Sequence, residues 1–367
     1  MSRAKALSGR MSALRRLMRQ RHVDGVLLTD PLNVRFFSGF AGEDSFLLVG
    51  RRWAMLLTDG RFAEQARLEC PRLPAVVRKR AMAPVIAEAV RARRVRRLGV
   101  EGGHMTVGLK ARLDRALGPR RCKVLAGQID ALREVKDAGE LAAIRKALRA
   151  AEGAFKALLA GGARGLVGRA ERDVAADLDH RMRLAGAERS AFETIVAAGA
   201  HSALPHYRPG ATVIRRGDMV LIDWGAVVDG YCCDLTRVVF TGRIRPDIAG
   251  VYDIVLRAQS AGIRAIRAGA TCASADAAAR KVIAAGGYGE AFNHGLGHGF
   301  GLCVHESPTL GGRATRRLRA GMVVTVEPGI YLPGVGGVRI EDDVLVAAGG
   351  RRRLSRLARD AEAMVLR

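Results

Sequence analysis

The 367-residue sequence predicts an α+β protein of two domains, a smaller mixed α/β domain over residues 1–130 and a larger antiparallel-sheet domain over residues 131–367. Three observations lead there. The chain is longer than a single hydrophobic core usually serves. Short helical and strand-like stretches alternate as far as Asp130. Beyond it come a long amphipathic stretch and then apolar strands that turn on glycines and return, the pattern of hairpins.

In the first domain, residues 11–21 read as a helix and residues 26–29 as a buried strand, followed by the turn cluster Asp30, Pro31, Leu32, Asn33. Residues 46–49 and 53–58 read as a hairpin closed by Gly50, Arg51 and Arg52. Helical and strand-like stretches then alternate from Phe62 through Val76, residues 85–90 and residues 98–100. The second domain opens with residues 132–159, which put Leu141, Ile144, Leu148, Phe155 and Leu158 on roughly one helix face. A helix over about 168–185, strands at 194–198, 219–224 and 237–241, helices over about 247–285 and several further strands complete it.

Composition narrows the function. With 49% hydrophobic and 26% charged residues the chain is globular, which excludes a disordered or fibrous protein. No run of about 18 uncharged apolar residues occurs, and Arg3, Lys5, Arg10, Arg15, Arg16, Arg19 and Arg21 interrupt the N-terminus; a soluble, cytoplasmic protein with no membrane partner is expected. The cysteines at 70, 122, 232, 233, 272 and 303 show no CxxC spacing and are too sparse for a disulfide framework, so free thiols are expected. The net charge is +25, and residues 1–130 hold 27 basic against 11 acidic groups. Such a domain attracts polyanions, which makes nucleic acid a partner the charge permits. It is not the favoured reading, because Arg91, Arg93, Arg94, Arg96 and Arg97 have no interleaved aromatics on which bases could stack.

The chemistry sits in the second domain. Residues 217–223 and 321–327 echo each other, each a glycine, an apolar strand and a terminal carboxylate. Each strand returns with a second acid: Asp223 is answered by Asp234, and Glu327 by Glu341. Hairpin pairing can set such residues side by side. Four carboxylates in one buried site repel, and a buried unpaired charge costs several kcal/mol, so a cation is required. Asp229, Asp342 and Asp343 read instead as ordinary turn residues. In residues 293–301 glycine alternates with His294, Leu296, His298 and Phe300; period two predicts a strand with both histidines on one face and glycine on the other for close packing. An oxygen-rich set with one imidazole suits manganese, cobalt or zinc. Cys232 and Cys233, beside Asp234, read as small packed hydrophobes.

Together, Ile222-Asp223-Trp224-Gly225, Asp234-Leu235-Thr236-Arg237, His294-Gly295-Leu296-Gly297-His298, Val326-Glu327-Pro328-Gly329-Ile330-Tyr331 and Arg339-Ile340-Glu341-Asp342-Asp343 closely resemble the Xaa-Pro aminopeptidase and prolidase family of metallopeptidases. Residues 33–40 and 57–61 look like that family's creatinase-type N-terminal domain. The resemblance implies a C-terminal pita-bread catalytic domain after a creatinase-type N-terminal one. It implies two divalent ions, Mn2+ first with Co2+ or Zn2+ as alternatives, held by Asp223, Asp234, His298, Glu327 and Glu341. Asp223 would bind one ion, His298 and Glu327 the other, and Asp234 and Glu341 both. Glu327 is the implied general base; His206 and His305 bind substrate and act in catalysis; His294 faces the substrate, and Arg339 and Tyr331 stand behind the ligands. Creatinases lack the metal ligands, whereas all five positions are filled here. The implied substrate is a proline-containing peptide and the implied assembly a homodimer. Xaa-Pro aminopeptidase is the activity implied first and Xaa-Pro dipeptidase (prolidase) the second. A non-catalytic pita-bread protein that binds polyanions is the reading from another class.

Overall fold

The computed structural model describes residues 3–367; Met1 and Ser2, at the start of the expected first domain, lie outside the described residues. The chain divides into two compact units, up to Arg133 and from Glu134 to Arg367.

The first unit is built on a six-stranded sheet in the order Ala75–Arg78, Ala54–Asp59, Phe46–Gly50, Gly25–Leu28, Leu98–Glu101, Cys122–Leu125. The two pairings that flank Phe46–Gly50 are antiparallel, including the expected hairpin, and the other three are parallel. Gly25–Leu28 is buried at every position, as a strand covered on both faces must be. The first helix spans Arg3–Gln20, beginning eight residues before the apolar periodicity suggests. At Asp30 the structure corrects the sequence reading, because Pro31–Ser38 is a helix and not a turn. Asp30 caps it, Oδ1 accepting from Leu32 N–H at 2.9 Å, with Pro31 in the first turn and Gly39 at φ 81° ending it. Asp-Pro serves a helix N-terminus as well as a turn, and local sequence does not separate the two.

The second unit pairs its strands antiparallel throughout, as an α+β domain does. Its opening helix, Ala138–Leu159, starts at a capping box between Asp137 and Glu140 and buries Ile144, Leu148, Phe155 and Leu158. Phe155 stacks on Trp224 with ring centroids 4.3 Å apart, and the Trp224 indole N–H donates to Ala151 O at 3.1 Å. The strand Met219–Trp224 is therefore pinned to this helix one residue beyond Asp223.

The two echoing halves match in backbone as well. Gly217 and Gly321 both take positive φ (93° and 92°), and their N–H groups donate to Thr241 O and Val346 O, each near the end of the returning strand. The left-handed conformation is open to glycine without a Cβ clash. Met219–Trp224 pairs with Leu235–Phe240, and Val323–Val326 with Asp342–Ala347.

Candidate metal centre

The first hairpin turns on Asp229 and Gly230, both at positive φ, with Val228 paired to Tyr231; this is the two-residue turn that Asp-Gly favours. Asp229 is exposed there and ion-paired to Lys146, the surface role expected of it. The register that follows places Thr236, not Asp234, directly opposite Asp223. Asp234 lies two residues earlier, just before the returning strand Leu235–Phe240, diagonal to Asp223 on the same face. In the second hairpin Val326 pairs with Asp342 and Gly329 with Arg339, so Glu327 falls directly opposite Glu341. Both lie where the ladder breaks: Glu327 N–H donates to Leu296 O, and Glu341 N–H to Thr236 O. The second link joins the two hairpins.

Carboxylate oxygens of Asp223, Asp234 and Glu341 come within 4.8 Å of one another. His298 Nε2 lies 3.6 Å from Asp234 Oδ2 and 3.3 Å from Glu327 Oε1. His298 stands on the strand Gly297–Gly299, shorter than the alternation suggests, and His294 precedes it outside any strand. The ladder slips between His298 and Gly299, which cuts the strand short. Its glycines are nonetheless required: a Cβ would lie 2.3 Å from Thr325 O at Gly297 and 2.5 Å from Ser307 O at Gly299.

Burial and mutual repulsion dominate the electrostatics. Burial, then the charges of Glu341 and Asp223, push Asp234 well above the usual carboxylate range. Burial, then Glu327 and Asp223, do the same to Glu341. Asp223 is raised by burial against the pull of Arg339. Burial also works on Glu327, but its bond to His298 and the charges of His298, His294 and Arg339 prevail and bring it down to about 2. His298 is raised, the Glu327 carboxylate outweighing burial.

Whether these residues suit divalent cations is decided by the unused oxygens. Asp223 Oδ1 and Glu341 Oε1 are buried with no hydrogen-bond partner. Their other oxygens are satisfied, Asp223 Oδ2 by Arg339 Nη2 at 2.5 Å and Glu341 Oε2 by the Thr236 hydroxyl at 2.7 Å. His298 Nδ1 is 3.0 Å from Gly299 O, so donation there leaves the Nε2 lone pair free. Orphaned carboxylate oxygens and one imidazole nitrogen directed into a buried space form the donor set of a borderline divalent ion.

Around this core, Arg339 also donates to the Tyr331 hydroxyl (2.9 Å) and Thr236 Oγ1 (3.1 Å), and the Tyr331 hydroxyl meets His294 Nε2 at 2.9 Å. The His305 ring lies 4.3 Å from that of His298, and burial with the His298 charge holds its pKa down. His206 is exposed on the segment after the strand Ile195–Ala198, near enough for its charge to act on both His294 and His305.

Five residues that sequence reasoning missed also shape the site. Thr325 donates to Glu327 Oε1 at 3.0 Å and accepts from His298 N–H, and Thr236 serves Glu341. Asp343, read as a turn residue, is fully buried, accepts from Asp234 N–H, and is pushed well above its usual range by burial. Asp342, read the same way, is also fully buried and ion-paired to the equally buried Arg237 at 2.8 Å. Both acids lie on the strand Asp342–Ala347 inside a five-stranded sheet, which local composition does not reveal. Glu171 is the fifth. Completely buried, it accepts from Ala198 N–H (2.8 Å), the Tyr207 hydroxyl (2.7 Å) and Gly210 N–H (3.2 Å), and lies 2.9 Å from His201 Nδ1, so it ties down both ends of the segment bearing His206. An acid in the first turn of a helix carries no signal of such a role. Cys232 and Cys233 are buried, with thiols raised by burial, as packed hydrophobes should be.

Residues 142–348 match metallopeptidase family M24, and residues 10–135 match the creatinase/prolidase N-terminal domain. The chain is 36% identical over 352 residues to an Xaa-Pro dipeptidase of Pyrococcus furiosus, covering 96% of this chain and 99% of that one. It superposes on an Xaa-Pro dipeptidase from Bacillus anthracis with a TM-score of 0.93 at 35% identity, over 98% of this chain and 100% of that one. It also superposes on an X-Pro aminopeptidase from Thermotoga maritima with a TM-score of 0.86 at 35% identity, over 96% and 99% of the two chains. Among the described residues no helix is long and apolar enough to cross a membrane.

Proposed function

The chain belongs to metallopeptidase family M24, a creatinase-type N-terminal domain preceding a pita-bread catalytic domain, and from that premise we propose that it is an Xaa-Pro dipeptidase. The family works with a dinuclear divalent centre. Asp223, Asp234, His298, Glu327 and Glu341 would hold it here, with manganese the ion they would take. One observation carries this reading: two buried carboxylate oxygens, on Asp223 and Glu341, lack any partner inside a cluster of acids that repel one another.

Bound divalent ions supply Lewis acidity, polarising the scissile carbonyl and lowering the pKa of the attacking water. The chain's own groups do the rest. Glu327, ionised under the influence of His298, accepts the proton that water releases and returns it to the leaving proline nitrogen. His206 and His305, at the exposed side of the cluster, donate to the oxyanion that develops on the substrate. His294, held between Tyr331 and Gly295 O, forms a fixed wall toward the substrate. A bond before proline lacks an amide N–H, so a protease that grips an extended backbone handles it poorly, and a dedicated pocket removes that need.

The sequence puts aminopeptidase first; the names of the Pyrococcus furiosus and Bacillus anthracis relatives favour the dipeptidase. The aminopeptidase stands as a second reading because the Thermotoga maritima enzyme is equally similar in sequence. Turnover of an Xaa-Pro dipeptide and an Xaa-Pro-Yaa tripeptide, measured after chelation and after return of manganese, cobalt or zinc, separates the two. The dipeptidase cleaves only the first substrate, with manganese the best ion. Release of the N-terminal residue from the tripeptide selects the aminopeptidase, and no turnover of either overturns both.

A further inference from the structure

A groove of about 740 Å3 lies in the second unit between the helix Ala138–Leu159 and the strand Gly350–Arg353 with its continuation to Arg356. The helix lines it with Arg145, Arg149 and Lys156, residues four and seven apart that share one face. At 1.5 Å per residue this row extends about 16 Å. The opposite wall carries Arg352, Arg353 and Arg356. Gly350–Arg353 is the edge strand of the five-stranded sheet.

The groove holds one acid against these six cations. Glu152 is buried in it, and its carboxylate accepts the backbone N–H of Arg356. Arg353 reaches Asp342 at 3.4 Å. Among the described residues no carboxylate pairs with Arg145, Arg149, Lys156, Arg352 or Arg356, although surface ion pairs engage many other arginines of the chain. Arg145 is partly buried, and burial together with the Arg352 and Arg149 charges pulls its pKa down. Like charges crowded around a concavity repel, and an anion seated among them relieves that repulsion.

The lining also says which anion. Its apolar members are Leu148, Gly153 and Leu354; no aromatic ring is present to stack a base. We propose that this groove binds a compact polyvalent anion made of linked phosphates, laid along Arg145, Arg149 and Lys156 and faced by Arg352 and Arg356. A chain of phosphates matches a row of cations of this length, and guanidinium groups bind phosphate oxygens in pairs. The site is separate from the hydrolytic centre and does not depend on it.

The test is calorimetric titration of the full chain with sodium tripolyphosphate at low and high salt. It is run on metal-loaded protein and again after chelation, so that ions captured by the probe are told apart from binding to the groove. One site is expected in both states, weakening with salt, with orthophosphate weaker by about tenfold or more. The double variant Arg149→Glu/Arg352→Glu should lose at least about tenfold in affinity, whereas Arg96→Glu/Arg97→Glu, the same change of charge in the first unit, should not. If the double variant fails to fold, the single exposed changes Arg149→Gln and Arg352→Gln should each cost several-fold. Absence of binding to the natural chain, equal loss in the control pair, or unchanged affinity in the single variants overturns the proposal. So does a single-stranded oligonucleotide of about ten residues binding more tightly than tripolyphosphate, since stacking would then matter.

Discussion

Arg339 Nη2 donates to Asp223 Oδ2 at 2.5 Å, while Asp223 Oδ1 is buried without a partner. The guanidinium fixes one oxygen of the carboxylate and so aims the other. It can do this because its remaining nitrogens are held by Tyr331 and Thr236. Arg339→Lys keeps the charge and loses the fork, so metal affinity should fall about 10- to 100-fold. Competition with a fluorescent chelator measures it; unchanged affinity would mean that Arg339 aims nothing.

By the family resemblance, Asp234 and Glu341 are the shared ligands. Replacing either with alanine should leave less than one bound ion per chain by elemental analysis and abolish turnover. Glu327→Gln should keep the fold and reduce kcat by about 10²- to 10⁴-fold, the loss expected on removing a general base. Full manganese occupancy and turnover in Asp234→Ala would remove the shared role.

Asp234 and Glu341 are pushed up in the fold, so each favours its protonated form there. The stability this contributes is complete below about pH 4, the unfolded value, and is lost as the pH climbs through the raised folded value. His298, raised by Glu327 against burial, has the same sign. The metal-free chain should therefore lose thermal stability as the pH rises above about 4, and bound cations should restore it. The gap in Tm between loaded and chelated protein should widen with pH; a constant gap would disconnect these acids from the metals. Asp342, lowered by Arg237 and Arg353 despite burial, runs the other way and gives up its contribution only as the pH falls below about 4.

Arg237 clips the two hairpins together. It donates to Asp342 Oδ1 and to the carbonyls of Thr236, Glu341, Leu357 and Ala358. Asp342→Ala leaves a fully buried guanidinium without its counter-charge and should cost about 3–5 kcal/mol in denaturant unfolding. A loss under about 1 kcal/mol would show that the carbonyls alone satisfy it.

Glu171→Gln puts an amide where three or four donors converge, which a neutral side chain with its own NH2 group does not accept. The segment carrying His206 should loosen, lowering kcat/KM by about tenfold or more with the metal content unchanged. Loss of metal along with activity would instead make Glu171 a support of the ligands.

Much of the site was legible because its elements are local. A strand ending in an acid, a glycine-bearing turn and a returning acid can be read from spacing alone, as can His298 among glycines. Asp30-Pro31 was misread because the same dipeptide starts turns and helices, and the choice rested on whether Val34, Phe36 and Phe37 found a core to enter. Asp342 and Asp343 were misread because an acid after a strand is commonly exposed; what buried them was a sheet neighbour on each side.

The sequence by itself determined the two hairpins and the residue types they carry, since both depend on composition and short-range turn chemistry. Only the tertiary structure decided that Asp234 sits diagonal to Asp223 while Glu341 faces Glu327, because register is a property of paired strands. It also decided which carboxylate oxygens are left without a partner. That depends on the positions of Arg339 and Thr236, far away in sequence from the acids they satisfy and brought to them only when the two hairpins pack together.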